Sequence, residues 1–155
     1  MKTEQPKTLF NILLADDDMD DRFFFAKALK EITVNTNLVT VNNGEQLMEY
    51  LLATDVQLPH ILFLDLSMPR KTGFECLAEI KENSKLKNLP VVMYTTSYTR
   101  STDFEDNLKK TLGKMGAQDY IRKPGDFEVL KKTIHQVLIK VLQEIEFEHQ
   151  ESTVS

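Results

Sequence analysis

Five short apolar runs punctuate the chain, at 9–15, 38–41, 61–66, 91–95 and 119–121. Each is followed by a stretch in which apolar residues recur every three or four positions. Runs of that length suit strands, whereas the intervening spacing suits amphipathic helices. The helical stretches are 20–32, with Phe24, Ala28 and Ile32 on one face, and 45–52, with Leu47 and Leu51. Next come 74–83, with Leu77 and Ile80, and 104–115, with Leu108, Leu112 and Met115. A last helix from 126 to about 148 repeats Phe127, Leu130, Ile134, Val137, Val141 and Ile145. Asn42-Asn43-Gly44, Gly73 and Gly116 punctuate the turns. Strands alternating with helices predict a parallel sheet covered on both faces. One α/β domain is expected over 9–148, with flexible ends at 1–8 and 149–155.

That architecture directs attention to the residues closing each strand, because open parallel sheets bind ligands outside the carboxyl ends of their strands. The first run ends at Asp16-Asp17-Asp18, the third at Asp65, the fourth at Thr95-Thr96 and the fifth at Lys123-Pro124; the second ends in Asn42. Two carboxylates about 4 Å apart repel by roughly 4 kcal/mol at an effective dielectric near 20. A hard, oxygen-seeking cation such as Mg²⁺ (or Mn²⁺) would offset that repulsion. A third carboxylate beside such an ion can act as nucleophile on a phosphoryl donor, giving an aspartyl phosphate. Lys123 would add a second cation, and Thr95 a hydrogen-bond donor to a phosphoryl oxygen.

Composition narrows the function classes. At 155 residues, 41% of them apolar, the chain suffices for one substantial core. The formal charge of −5 argues against general nucleic-acid binding, which runs on surplus Lys and Arg. The single cysteine, Cys76, excludes an intramolecular disulfide framework and fits a reducing compartment. No apolar run approaches the roughly 20 residues of a membrane span. A cytoplasmic protein without membrane insertion is expected.

The motifs Ile12-Leu13-Leu14-Ala15-Asp16-Asp17-Asp18, Leu64-Asp65-Leu66-Ser67-Met68-Pro69, Met93-Tyr94-Thr95-Thr96-Ser97 and 116–124, ending Tyr120-Ile121-Arg122-Lys123-Pro124, occur in that order. Together they resemble the receiver domain of two-component response regulators, of the stand-alone single-domain kind. The resemblance implies a flavodoxin-like, doubly wound five-stranded sheet in the order 2-1-3-4-5. It implies Asp65 as phosphoacceptor, Asp17 and Asp65 as metal ligands with the Ser67 backbone carbonyl, and Asp16 as an indirect ligand. Thr95 and Lys123 would stabilise the phosphoryl group, Pro124 would follow a cis bond, and Tyr120 would switch inward with Thr95. A sensor histidine kinase or histidine phosphotransfer protein would be the donor. The output would pass to a downstream protein, without direct DNA binding, and a homodimer is permitted by the aromatic first helix and long last helix.

Competing readings are definite. The run of three aspartates leaves Asp17-Asp18 as an alternative acidic pair, and Asp18, Asp20 and Asp21 suit a helix N-terminus. A receiver-fold interaction module without phosphorylation is one alternative function. A Mg²⁺-dependent phosphatase of the haloacid dehalogenase type is another, disfavoured because Ser67 stands where that class wants a second acid. His60, His135 and His149 have no ligand-like spacing, and Cys76 reads as a small buried filler. Phe23-Phe24-Phe25 cannot all face inward from one helix, so an exposed aromatic is expected. The segment between Thr95 and Lys123 is longer than is usual for receivers, with the excess at 98–103 or extending the helix that follows, and Gly113 weakens that helix. Ser67 and Ser97 occupy the positions that tune phosphate lifetime in the family.

Overall fold

The computed structural model describes residues 9–96 and 102–154, excepting the side chains of 102 and 147–154. Ser97 and most of the expected insertion therefore lie outside the described residues. The strands are β1 (Phe10–Ala15), β2 (Thr36–Val41), β3 (Ile61–Leu64), β4 (Val91–Thr95) and β5 (Asp119–Arg122). They alternate with α1 (Met19–Glu31), α2 (Gly44–Leu52), α3 (Gly73–Glu82), α4 (Thr102–Lys114) and α5 (Phe127–Val154). All four strand pairings are parallel, in the order β2-β1-β3-β4-β5. The parallel sheet covered on both faces is the one expected from the alternation, and the strand order is the one the receiver resemblance implies.

The pleat divides the core into two layers, since successive strand residues point to opposite faces. Ile12, Leu14, Ile61, Phe63, Val92, Tyr94 and Ile121 pack with Phe25, Ala28, Ile134 and Leu138 of α1 and α5. Leu13, Ala15, Leu62, Leu64, Val91 and Met93 pack with Leu47, Leu51, Leu77, Ile80 and Leu112 of α2, α3 and α4. β1, β3 and β4 are buried on both faces, which is why they read as unbroken apolar runs. Cys76 fills the second layer with no exposed surface, as expected.

Several boundaries depart from the sequence pattern. The apolar face of α1 is Phe25, Ala28 and Leu29, one step round from the expected Phe24, Ala28 and Ile32. Phe25 makes edge contacts with Phe63 and Tyr94, whereas Phe23 and Phe24 are exposed. β2 begins two residues before Leu38, because polar Thr36 and Asn37 complete its ladder with Phe10 and Asn11. β3 ends at Leu64, releasing Leu66 into the turn, and α5 continues past Glu148 to Val154. Among the described residues no helix is long and apolar enough to cross a membrane.

Candidate phosphoryl and metal site

Backbone hydrogen bonds carry the strand ladders one step beyond the strands themselves. Asp16 N–H donates to the Val41 carbonyl at 3.1 Å, Asp65 N–H to the Ala15 carbonyl at 3.0 Å, and Lys123 N–H to the Thr95 carbonyl at 2.8 Å. Period-two alternation then orients the side chains. Asp16, Asp65 and Lys123 continue the rows of Leu14, Phe63 and Ile121, so all three fall on the α1–α5 side. Thr95 and Tyr120 continue the opposite row with Met93.

The acids converge as expected. Carboxylate oxygens of Asp16, Asp17 and Asp65 all lie within 4.8 Å of one another. Asp16 and Asp65 are buried, whereas Asp17 is exposed at the mouth. Asp18, the other candidate for the pair, lies outside this cluster, and its carboxylate caps α1 by accepting from Asp21 N–H at 3.0 Å. Lys123 Nζ stands 2.8 Å from Asp16 Oδ2 and 3.6 Å from Asp65 Oδ2, its side chain only 8% exposed. The ammonium lies 5.1 Å from the centre of the Tyr94 ring.

Burial sets the electrostatics. It pushes the Asp65 carboxyl up from 3.8 to about 7, with Lys123 restraining the rise and Asp16 and Asp17 adding to it. Burial also raises Asp16, against the pull of Lys123 and of the Asp18 N–H. Burial alone would lower Lys123, but contacts with Asp16, Asp21 and Asp65 outweigh it and hold the ammonium charged. Asp16 Oδ2 is buried and, despite its ion pair, has no partner of hydrogen-bond geometry. A buried acceptor with spare capacity beside two further carboxylates fits a divalent cation.

The other expected residues are placed as follows. Thr95 is buried, and its Oγ1 donates to the Thr96 carbonyl at 3.4 Å. Ser67 is exposed and its N–H donates to Asp65 Oδ1 at 3.3 Å. Tyr120 is half-buried, its hydroxyl 3.4 Å from Glu105 Oε2 on α4 and its ring 5.4 Å from Lys109 Nζ. The expected cis bond before Pro124 is a correction: among the described residues no peptide bond is cis. Trans is the isomer an X–Pro bond prefers by about 0.5–1 kcal/mol.

Three further neighbours join the site that the strand-end pattern does not mark. Asp21 Oδ2 accepts from Lys123 Nζ at 2.9 Å, although its position suggested only a helix-start acid. Arg22 Nη1 donates to the Asp16 carbonyl at 2.8 Å. Tyr94 lies beneath Lys123, and the signal for it was parity, since Tyr94 sits on the same face as Ile121.

The sequence model described as the response regulator receiver domain matches residues 12–135. The chain is 28% identical over 140 residues to the probable methanogenesis regulatory protein FilR2 of Methanothrix harundinacea, covering 88% of this chain and 84% of that protein. It is 32% identical over 133 residues to the two-component response regulator ARR17 of Arabidopsis thaliana, covering 78% of this chain and 82% of that protein. Among solved structures, the phosphorylated cyanobacterial phytochrome response regulator RcpA superposes with a TM-score of 0.72 at 30% identity, over 84% of this chain and 91% of that one. The Mn(2+)-bound form of response regulator Rcp1 gives 0.70 at 29% identity, over 82% and 90%. With the family model spanning most of the chain and the sheet order, strand-end acids and lysine all in place, this chain belongs to the response regulator receiver domain family.

Proposed function

We propose that Asp65 is the phosphoacceptor of a phosphorylation switch, charged by a histidine kinase or a histidine phosphotransfer protein and read out by protein contact. The observation that carries this reading is the placement of Asp65, buried at the carboxyl end of the sheet within a carboxylate cluster and with the Lys123 ammonium 3.6 Å from its Oδ2. An Asp65 carboxylate oxygen would attack phosphorus, and the bond from phosphorus to the donor's leaving group would break, its electron pair departing with that group. Such transfer needs alignment and charge neutralisation more than covalent help. Asp17, Asp65 and the Ser67 carbonyl would hold Mg²⁺ (or Mn²⁺), with Asp16 acting indirectly. A bound divalent ion would supply positive charge and open positions for phosphoryl oxygens.

This chain's own side chains would do the rest. Lys123 would meet the incoming phosphoryl group from the Asp65 Oδ2 side. Thr95 would leave the Thr96 carbonyl to donate to a phosphoryl oxygen. Tyr120, on the same face of the pleat as Thr95, would then exchange its contact with Glu105 for an inward position. Such a change is a population shift between two arrangements, biased by one modification.

The deciding experiment is Mg²⁺-dependent labelling by a small phosphodonor, comparing wild type with Asp65→Asn. Labelling of wild type alone supports the assignment. Labelling that persists in the variant would refute it, and no labelling of either would favour a non-phosphorylated interaction module.

A further inference from the structure

The N3 positions of three helices behave differently. In α3, Glu75 reaches back to the Thr72 N–H while Thr72 Oγ1 accepts from Glu75 N–H, closing a capping box. In α2, Gln46 Oε1 turns back to accept from Asn42 N–H at 2.7 Å. In α1 the corresponding residue is Asp21, and its carboxylate goes to Lys123 instead. It is free to do so because the N-cap amide that it would otherwise cap, Asp18 N–H, already donates to Asp16 Oδ1 at 2.9 Å.

Lys123 thus has three carboxylates around it, Asp16 at 2.8 Å, Asp21 at 2.9 Å and Asp65 at 3.6 Å. Asp16 and Asp65 belong to the cluster suited to a metal, and Asp21 does not. A divalent cation in that cluster would draw the charge of Asp16 and Asp65 to itself and repel the ammonium. Asp21 is the one of the three whose attraction survives. We infer that Asp21 is the positioning residue that keeps Lys123 at the phosphoryl site once the metal cluster is filled.

The role rests on the phosphoacceptor reading for its purpose, but not for its test. An ammonium with an 8% exposed side chain and two close carboxylates should give a protected ¹⁵Nζ signal, assignable by its loss in Lys123→Arg. Titrated with Mg²⁺ alone, wild type should keep that signal, and Asp21→Asn should lose it to water exchange on saturation while keeping the fold. The variant should be labelled by a small phosphodonor roughly tenfold more slowly, as expected for one charge-assisted hydrogen bond. Asp21→Glu should restore most of the rate, and Asp21→Asn should add nothing in a Lys123→Ala background. Retention of the signal in Mg²⁺-saturated Asp21→Asn, its loss in Mg²⁺-saturated wild type, or additive effects with Lys123→Ala would overturn the inference. Absence of wild-type labelling would instead defeat the phosphoacceptor reading, leaving the ammonium signal to judge Asp21.

Discussion

Two of the regions where charged side chains gather obey different rules. At the carboxyl edge of the sheet, Asp16, Asp21 and Asp65 surround the Lys123 ammonium, and Asp17 joins Asp16 and Asp65 at the mouth, with Asp16, Asp65 and the Lys123 side chain shielded from solvent. On the α4–β5–α5 face, opposite charges alternate close to solvent. Arg122 meets Glu105 at 3.8 Å and Lys140 meets Asp119 at 3.6 Å, while the neutral Gln118 amide donates to Glu144. Arg122 and Lys140 are more than half exposed, and solvent-screened pairs of this kind contribute about 0–1 kcal/mol each. Buried charge in surplus costs far more and is kept where a ligand will neutralise it. On the proposed function, the contrast separates a region that would take up a cation and a phosphoryl group from one whose contacts would exchange at little cost.

The comparison breaks most sharply at Asp65. Asp65→Asn should abolish labelling and at the same time stabilise the metal-free protein at pH 8 by on the order of 2–4 kcal/mol. Denaturant titration of the two forms measures that gain, and a destabilised variant would contradict the surplus-charge account.

The pH dependence has a definite sign. A folded-state value of about 7 against 3.8 unfolded means that the native state binds the extra proton between those limits. Stability of the metal-free protein should therefore fall as pH rises from about 4 to about 7, and Asp16, raised in the same direction, adds to the slope. Saturating Mg²⁺ should flatten that decline. Unfolding curves across this range with and without Mg²⁺ provide the check.

Gly73 tests the backbone beneath the site. A Cβ there would lie 2.3 Å from the Asp65 carbonyl oxygen and 2.7 Å from Leu66 Cα. Gly73→Ala should cost about 1–3 kcal/mol, since neither contact is a side chain that can swing away. Thermal unfolding would measure it, and Mg²⁺ affinity should weaken in parallel. The smallest effect belongs to the opposite region. Lys140→Ala, which removes the exposed partner of Asp119, should alter stability by less than about 1 kcal/mol and leave small-donor labelling unchanged. A large loss of labelling would mean that the two regions are not separable.

Aromatic α1 residues show where the pattern stops being informative. Phe23, Phe24 and Phe25 are chemically equivalent, and a rotation of 100° per residue decides which is buried. Periodicity chose Phe24 with Ile32; packing against Phe63 and Tyr94 chose Phe25. The start of β2 escapes the pattern for a related reason, because Thr36 and Asn37 pair through backbone groups that carry no hydrophobic signal.

The sequence by itself determined the alternation of strands and helices, and with it the edge at which Asp16, Asp17, Asp65, Thr95 and Lys123 assemble. A period of two and a period of 3.6 are local properties of the chain, and the strand termini follow from them. Only the tertiary structure decided that Asp21 shares the Lys123 ammonium, that Asp18 caps rather than joins the cluster, and that Tyr120 meets Glu105. Those contacts join residues on separate elements, at distances fixed by how helices seat on the sheet, and no local periodicity encodes that seating.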